Sequence, residues 1–132
     1  MRITSKRRAH EELDLFQLSK RLAVELYRET ESFPMEERFG LTSQIRRAAV
    51  SVPANIAEGA ARGSKRELSR FLLVARGSAT ELDVLLQIAR ETGILSDQRF
   101  EHFQQTLERV FAMTSGLVRS SSVSRLTSHV SR

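Results

Sequence analysis

The sequence contains no cysteine, which excludes disulfide bonds and thiolate metal sites. We therefore expect a reducing, cytoplasmic environment. No segment approaches the roughly 18 to 20 uncharged apolar residues that a membrane span needs. The basic N-terminus has no apolar run behind it, so we expect no secretory signal and no membrane partner.

Residues that carry chemistry are also scarce. The three histidines are His10, His102 and His129, and none follows a glutamate by three residues, as a di-iron bundle site requires. No histidine is placed by pattern beside Ser51 or Ser78, and the glycines near position 60 lack the Walker spacing. We expect no catalytic residue, no metal and no cofactor. Catalysis by Glu58 alone is the weaker alternative.

Four long segments repeat apolar residues at spacings of three and four, which is typical of amphipathic helices. They cover about 12–32, 41–62, 64–92 and 96–119, and no run alternates with a period of two. The sequence therefore predicts an all-α, up-down-up-down antiparallel four-helix bundle over 12–119. A basic flexible arm at 1–11 and a disordered Ser/Arg-rich tail at 120–132 would flank it.

Helix boundaries are marked by specific residues. Pro34 ends the first helix, because the residue before a proline avoids the helical region. Gly63 fits a left-handed C-cap, Ser64 with Glu67 forms a capping-box pattern, and Ser96 is a candidate N-cap.

Pro53 lies inside the second helical pattern without ending it. A proline in a helix interior costs roughly 3 kcal/mol, so the helix either breaks or bends. Because the apolar pattern continues beyond it, we predict a bent helix. The proline frees the carbonyl of Ala49, which would seek another donor. Candidate donors are Arg46, Arg47 and Asn55, and we expect Glu58 to pair with an arginine.

The third helix carries a second apolar stripe on the side opposite its core face. A single bundle cannot bury both faces of one helix, so we predict a subunit interface in which Gly77 permits close approach. Scattered surface aliphatic residues are the alternative. The stripe consists of Leu73, Gly77, Val84 and Ile88.

Charge is distributed unevenly along the chain, and residues 38–76 carry eight basic and two acidic side chains. A basic surface of this kind suits RNA or DNA. Attraction between acidic and basic helices or subunits is the alternative. The candidate nucleic-acid-binding residues are Arg46, Arg47, Arg62, Lys65, Arg66 and Arg70.

The stretch from Gln44 to Gly59 reads QIRRAAVSVPANIAEG, and Arg62, Phe71-Leu72 and ARGS at 75–78 follow it. With Phe33-Pro34 and Phe39-Gly40-Leu41 upstream, the chain resembles the bacterial four-helix-bundle family named for 23S ribosomal RNA intervening sequences. Phe39 replaces the more usual tyrosine. In that resemblance Pro53, Asn55, Glu58 and Gly59 form a structural motif.

The resemblance implies a ring, most simply a homopentamer. It also implies, for some relatives, an accessory role in diversity-generating retroelements, with binding of nucleic acid and a reverse transcriptase. Most members have no established activity, so family membership predicts fold better than function.

Three functions are compatible with these features. The first is a non-enzymatic oligomer that binds RNA or DNA with low sequence preference, since few aromatic residues are present for base stacking. The second is a protein-interaction scaffold or accessory subunit for a reverse-transcriptase-like or other protein. The third, a ribonuclease, has little support because no acid–base pair stands out.

Overall fold

The computed structural model describes the backbone of residues 2–130 and the side chains of residues 9–121. The described backbone forms four α-helices, with a single 3-10 turn, Met35–Glu37, between the first two. The helices are α1 (Arg2–Thr30), α2 (Leu41–Ala61), α3 (Lys65–Glu91) and α4 (Asp97–Val130). The described residues contain no β-strand.

Each helix packs against its neighbour in the sequence, and α4 also packs against α1 to close the bundle. The connections 31–40, 62–64 and 92–96 are short, so consecutive helices run antiparallel. Leucine, isoleucine and phenylalanine side chains from all four helices fill the space between them. The fully buried members include Leu15, Leu26, Ile45, Leu72, Leu82, Phe103 and Leu107. The predicted all-α four-helix bundle is confirmed.

The terminal helices are longer than the sequence pattern predicted. Helix α1 begins at Arg2 rather than about 12, and α4 continues to Val130 rather than ending near 119. Neither extension contains a proline or a glycine, so no helix-breaking residue stops it. The division into a flexible arm at 1–11 and a disordered tail at 120–132 stays a prediction. Residues 1, 131 and 132, and most side chains of both segments, lie outside the described residues.

Helix α2 runs unbroken through Pro53, whose side chain is buried. The alternative in which the helix breaks at the proline is therefore wrong. Pro53 stays in the helix because the α2 residues around it contribute to the core. Val52 before the proline and Ile56 after it are each 1% exposed, so ending the helix at Pro53 would remove Ile56 from the core.

The helix ends follow the predicted capping chemistry. Gly63 has a φ of 79°, the left-handed conformation that glycine adopts without strain. The Ser64 hydroxyl accepts the Glu67 N–H at 3.1 Å, and the Ser96 hydroxyl accepts the Arg99 N–H at 3.1 Å. These caps fix where α3 and α4 begin. Among the described residues, no helix has the length and apolar character needed to cross a membrane.

Candidate nucleic-acid interface and assembly surface

Four basic residues lie together around the α2–α3 turn. Arg62 follows the end of α2, Lys65 and Arg66 begin α3, and Arg70 lies one helical turn further on. All four side chains are exposed. Because Gly63 allows a three-residue connection, the cations of two helices meet at one end of the hairpin. We call Arg62, Lys65, Arg66 and Arg70 the turn cluster.

Two members of the turn cluster are paired with carboxylates. Arg62 donates to Glu58 at 2.9 Å, as the expected pairing of Glu58 with an arginine requires. Arg70 binds Glu67 through two hydrogen bonds of 3.1 and 3.2 Å. The hydrogen bond from Arg70 lowers the pKa of Glu67, and the same contact raises the pKa of the Arg70 guanidinium. Both groups are therefore charged at neutral pH.

The other two members lie beyond ion-pair distance of the described carboxylates, although the charge of Arg66 adds to the effect of the Arg70 hydrogen bond in lowering the pKa of Glu67. Lys65 and Arg66 form no ion pair with any residue whose side chain the structure describes. Their positive charges are available to an external anion.

Phe71 organises the arginines of the turn cluster. The Arg62 and Arg70 guanidinium groups lie over its ring, with their central carbons 5.1 and 4.5 Å from the ring centroid. Contacts of this kind are favourable and orient the planar guanidinium group. Where α2 packs against α3, Gly59 lies very close to Phe71. A Cβ added to Gly59 would lie 2.8 Å from the Phe71 Cβ. Gly59 thus allows α2 and α3 to approach at the turn.

Arg46 and Arg47 do not join the turn cluster. They lie near the start of α2, roughly 22 to 24 Å along the helix from Arg62 at 1.5 Å per residue. Arg46 donates to the Thr30 hydroxyl at 2.8 Å and to the Tyr27 carbonyl at 3.1 Å, and stacks on the Tyr27 ring. It fastens α2 to the end of α1. Arg47 is exposed.

The polar residues near Pro53 form hydrogen bonds other than the expected one from Asn55 to the Ala49 carbonyl. Asn55 donates instead to the Ser51 carbonyl at 2.7 Å and to the Ser51 hydroxyl at 3.0 Å. The Ser51 hydroxyl lies 2.8 Å from that of Ser78 on α3. Asn55 follows Ser51 by one turn on the flank that faces α3, so its amide reaches Ser51 and helps join the two helices.

The second apolar stripe lies on the outside of α3, as predicted. Leu73, Val84 and Ile88 are 44%, 50% and 46% exposed, and the neighbouring Val74 is 47% exposed. Gly77 faces open space, since a Cβ there would meet no atom within 4 Å. Its role as a subunit interface stays a prediction.

One hydrogen bond and one ion pair between α1 and α4 were not predicted from the sequence. His102 lies 2.7 Å from Glu25, and Arg99 donates to Glu29 at 2.8 Å. No local spacing could reveal them, because the partners are far apart along the chain. The Arg70–Glu67 pair, in contrast, has the i, i+3 helical spacing that favours pairing and could have been found. Among the described residues, no group of three or more acidic or histidine side chains could hold a metal ion.

The antiparallel helices and their closed packing place the chain in the class of four-helix-bundle proteins. It belongs to the 23S rRNA-intervening sequence protein family, whose family model matches residues 11–116. The match includes the turn cluster and the whole α3 stripe.

The chain is also similar to a crystal structure of a protein with unknown function from the S23 ribosomal protein family of Bacteroides thetaiotaomicron VPI-5482. The two chains are 19% identical with a TM-score of 0.77, over 83% of this chain and 98% of that one. At this identity the likeness shows the fold alone. No curated protein matched the sequence.

Proposed function

We propose that this protein is a non-enzymatic oligomer that binds nucleic acid, RNA or DNA, through the phosphate groups at the turn cluster. The observation that carries the proposal is the exposure of Lys65 and Arg66, without ion pairs to described residues, beside two oriented arginines. The family's association by name with intervening sequences of 23S rRNA favours RNA as the ligand.

The geometry favours contacts with phosphates over contacts with bases. Phe71 is the aromatic residue beside the turn cluster, and its ring already packs against Arg62 and Arg70. Base stacking needs a free aromatic or guanidinium plane, whereas phosphate contacts need only accessible positive charge. Binding should therefore depend strongly on salt and weakly on sequence.

Oligomerisation would strengthen such binding. The exposed stripe on α3 supplies apolar surface for subunit contacts, and the family resemblance favours a homopentamer. A ring presents several turn clusters to one long polyanion. Once one cluster is bound, the others bind at a high effective concentration.

A second function is favoured by the charge pairs of the subunit. Arg62 and Arg70 already have carboxylate partners, and Arg46 is held against α1. Charges satisfied within the fold suit a scaffold or accessory subunit that binds a protein, such as a reverse-transcriptase-like enzyme. In this case the oligomer would show no salt-dependent retention of RNA.

Reversing the two unpaired charges of the turn cluster tests the proposal. We expect Lys65→Glu with Arg66→Glu to weaken binding of a structured RNA hairpin by at least about tenfold near 50 mM salt, because two cations that attract phosphates become two anions that repel them. The slope of log affinity against log salt should become shallower by about 0.9 for each phosphate that the variant no longer neutralises. Filter retention or fluorescence anisotropy at about 50 and 200 mM salt measures both quantities.

The matched control is Arg21→Glu with Arg28→Glu on α1, where both residues are exposed and the net charge changes equally. It should bind within about twofold of wild type, since steering by overall charge is screened at this salt. Wild-type protein that does not retain RNA at low salt, or retains it equally at both salt concentrations, contradicts the proposal.

RNA that stays intact with protein and Mg²⁺ is the expected result for a protein without nuclease activity.

A further inference from the structure

The Glu67 carboxylate occupies the place that a phosphate would take between two arginines. Its two oxygens accept from Nε and one terminal nitrogen of Arg70, at 3.1 and 3.2 Å. One of them also lies 4.0 Å from a terminal nitrogen of Arg62. Arginine binds phosphate through the same two-pronged arrangement, with one oxygen on each N–H. The two donor nitrogens of Arg70, with Arg62 beside them, thus form an anion-binding fork, and the Glu67 carboxylate occupies it.

We propose that Glu67 competes with nucleic-acid phosphate for Arg70 and Arg62 and thereby limits the affinity of the turn cluster. On binding, a backbone phosphate replaces the carboxylate on Arg70, and Glu67 turns toward solvent. The inference rests on the proposed function, because it concerns the same surface.

A phosphate can replace the Glu67 carboxylate because the Arg70–Glu67 ion pair is exposed to solvent. The Arg70 and Glu67 side chains are 58% and 34% exposed, so water and salt screen their attraction. A backbone phosphate carries one negative charge, as the carboxylate does, but the neighbouring phosphates of the polyanion add to the attraction, and binding also releases condensed counterions. Displacement therefore removes a weak contact and forms a stronger one.

Phe71 keeps the fork in place when the carboxylate leaves. The guanidinium carbons of Arg70 and Arg62 lie 4.5 and 5.1 Å from the centroid of its ring, and this contact does not involve the carboxylate. An arginine that is already oriented loses less conformational freedom on binding.

Acid does not relieve this competition near neutral pH. The hydrogen bond from Arg70 lowers the pKa of Glu67, so the carboxylate is ionised at neutral pH. Substitution is therefore the way to remove the competing charge at neutral pH.

Glu67→Gln tests the inference with little change in shape. Glutamine is accepted at the third position of a capping box, so the start of α3 should persist. We expect the variant to bind a mixed-sequence RNA duplex of about 20 base pairs up to about fivefold more tightly than wild type near 100 mM salt, as relief of an exposed ion pair allows. The salt slope should become steeper by about 0.9 for each additional phosphate that the freed arginines neutralise.

Two variants act as controls. Glu101→Gln removes one negative charge in the first turns of α4, at the end of the bundle away from the α2–α3 turn, and should bind within about twofold of wild type. Glu58→Gln frees only the single contact to Arg62 and should have a smaller effect than Glu67→Gln. Circular dichroism and thermal unfolding of each variant confirm that the helices are retained.

The outcomes separate the two proposals. If wild type binds the duplex and Glu67→Gln binds it with equal affinity and equal slope, the competition is wrong and the proposed function stands. If neither protein binds at low salt, both proposals fall. Tighter binding by Glu67→Gln than by wild type, with unchanged binding by Glu101→Gln, supports the competition.

Discussion

Replacing Val84 and Ile88 together by glutamate should produce a helical protein of lower mass in solution. Both side chains are about half exposed on the outer face of α3, so the bundle core does not depend on them. If this face joins subunits, association would bury two unpaired carboxylates per chain, and dehydrating each ion costs several kcal/mol. The mass should move toward the 15.0 kDa of a single chain.

Light scattering after size-exclusion chromatography measures the mass, and circular dichroism measures the helical content. Gln98→Glu with Gln105→Glu on α4 adds the same charge at two exposed positions outside the stripe and should leave the mass unchanged. An oligomer of undiminished mass that carries both substitutions at Val84 and Ile88 would show that subunits meet elsewhere.

Replacing Gly59 by alanine should lower the stability of the bundle, although alanine favours helices by about 1 kcal/mol over glycine. The new Cβ would lie 2.8 Å from the Phe71 Cβ and 3.4 Å from the Leu68 Cα. Neither neighbour is the end of a flexible side chain, so α2 and α3 must move apart. Overpacking of this kind typically costs about 1–3 kcal/mol. Chemical denaturation monitored by circular dichroism measures the net change.

Gly77→Ala provides the matched control, because it makes the same change in a position without close neighbours. Within one subunit it should raise stability by up to about 1 kcal/mol through helix propensity alone. Equal stabilisation by both alanines would show that α2 and α3 do not need the glycine contact at position 59. A Gly77→Ala protein that is stable but of lower mass would place Gly77 inside the subunit contact.

The fold could be predicted because local rules and burial agree along the chain. The three-and-four spacing from Leu68 to Ala89 places α3, and Gly63 with Ser64 fixes its start. The continuity of α2 through Pro53 was also predictable, since apolar residues needed in the core stand on both sides of it. The extensions at the two termini were not, because their few apolar residues gave no periodic signal.

The candidate site was predictable only where partners are close in sequence. The i, i+4 spacing of Glu58 and Arg62 correctly indicates a pair. The tie of Arg46 to Thr30 and the contact of Ser51 with Ser78 depend on which flank of α2 faces which neighbour. That orientation is set by the packing of all four helices, so helix periodicity alone could not distinguish Arg46 from Arg62.

The packing of each helix against its neighbours in the sequence has a consequence for how the chain folds. Most contacts join residues that are close along the chain, and proteins of such low contact order fold within microseconds to milliseconds. The α2–α3 hairpin closes the shortest loop, so we expect it to form early, with α1 docking onto α4 last. The turn cluster would then be among the first parts of the surface to form during folding.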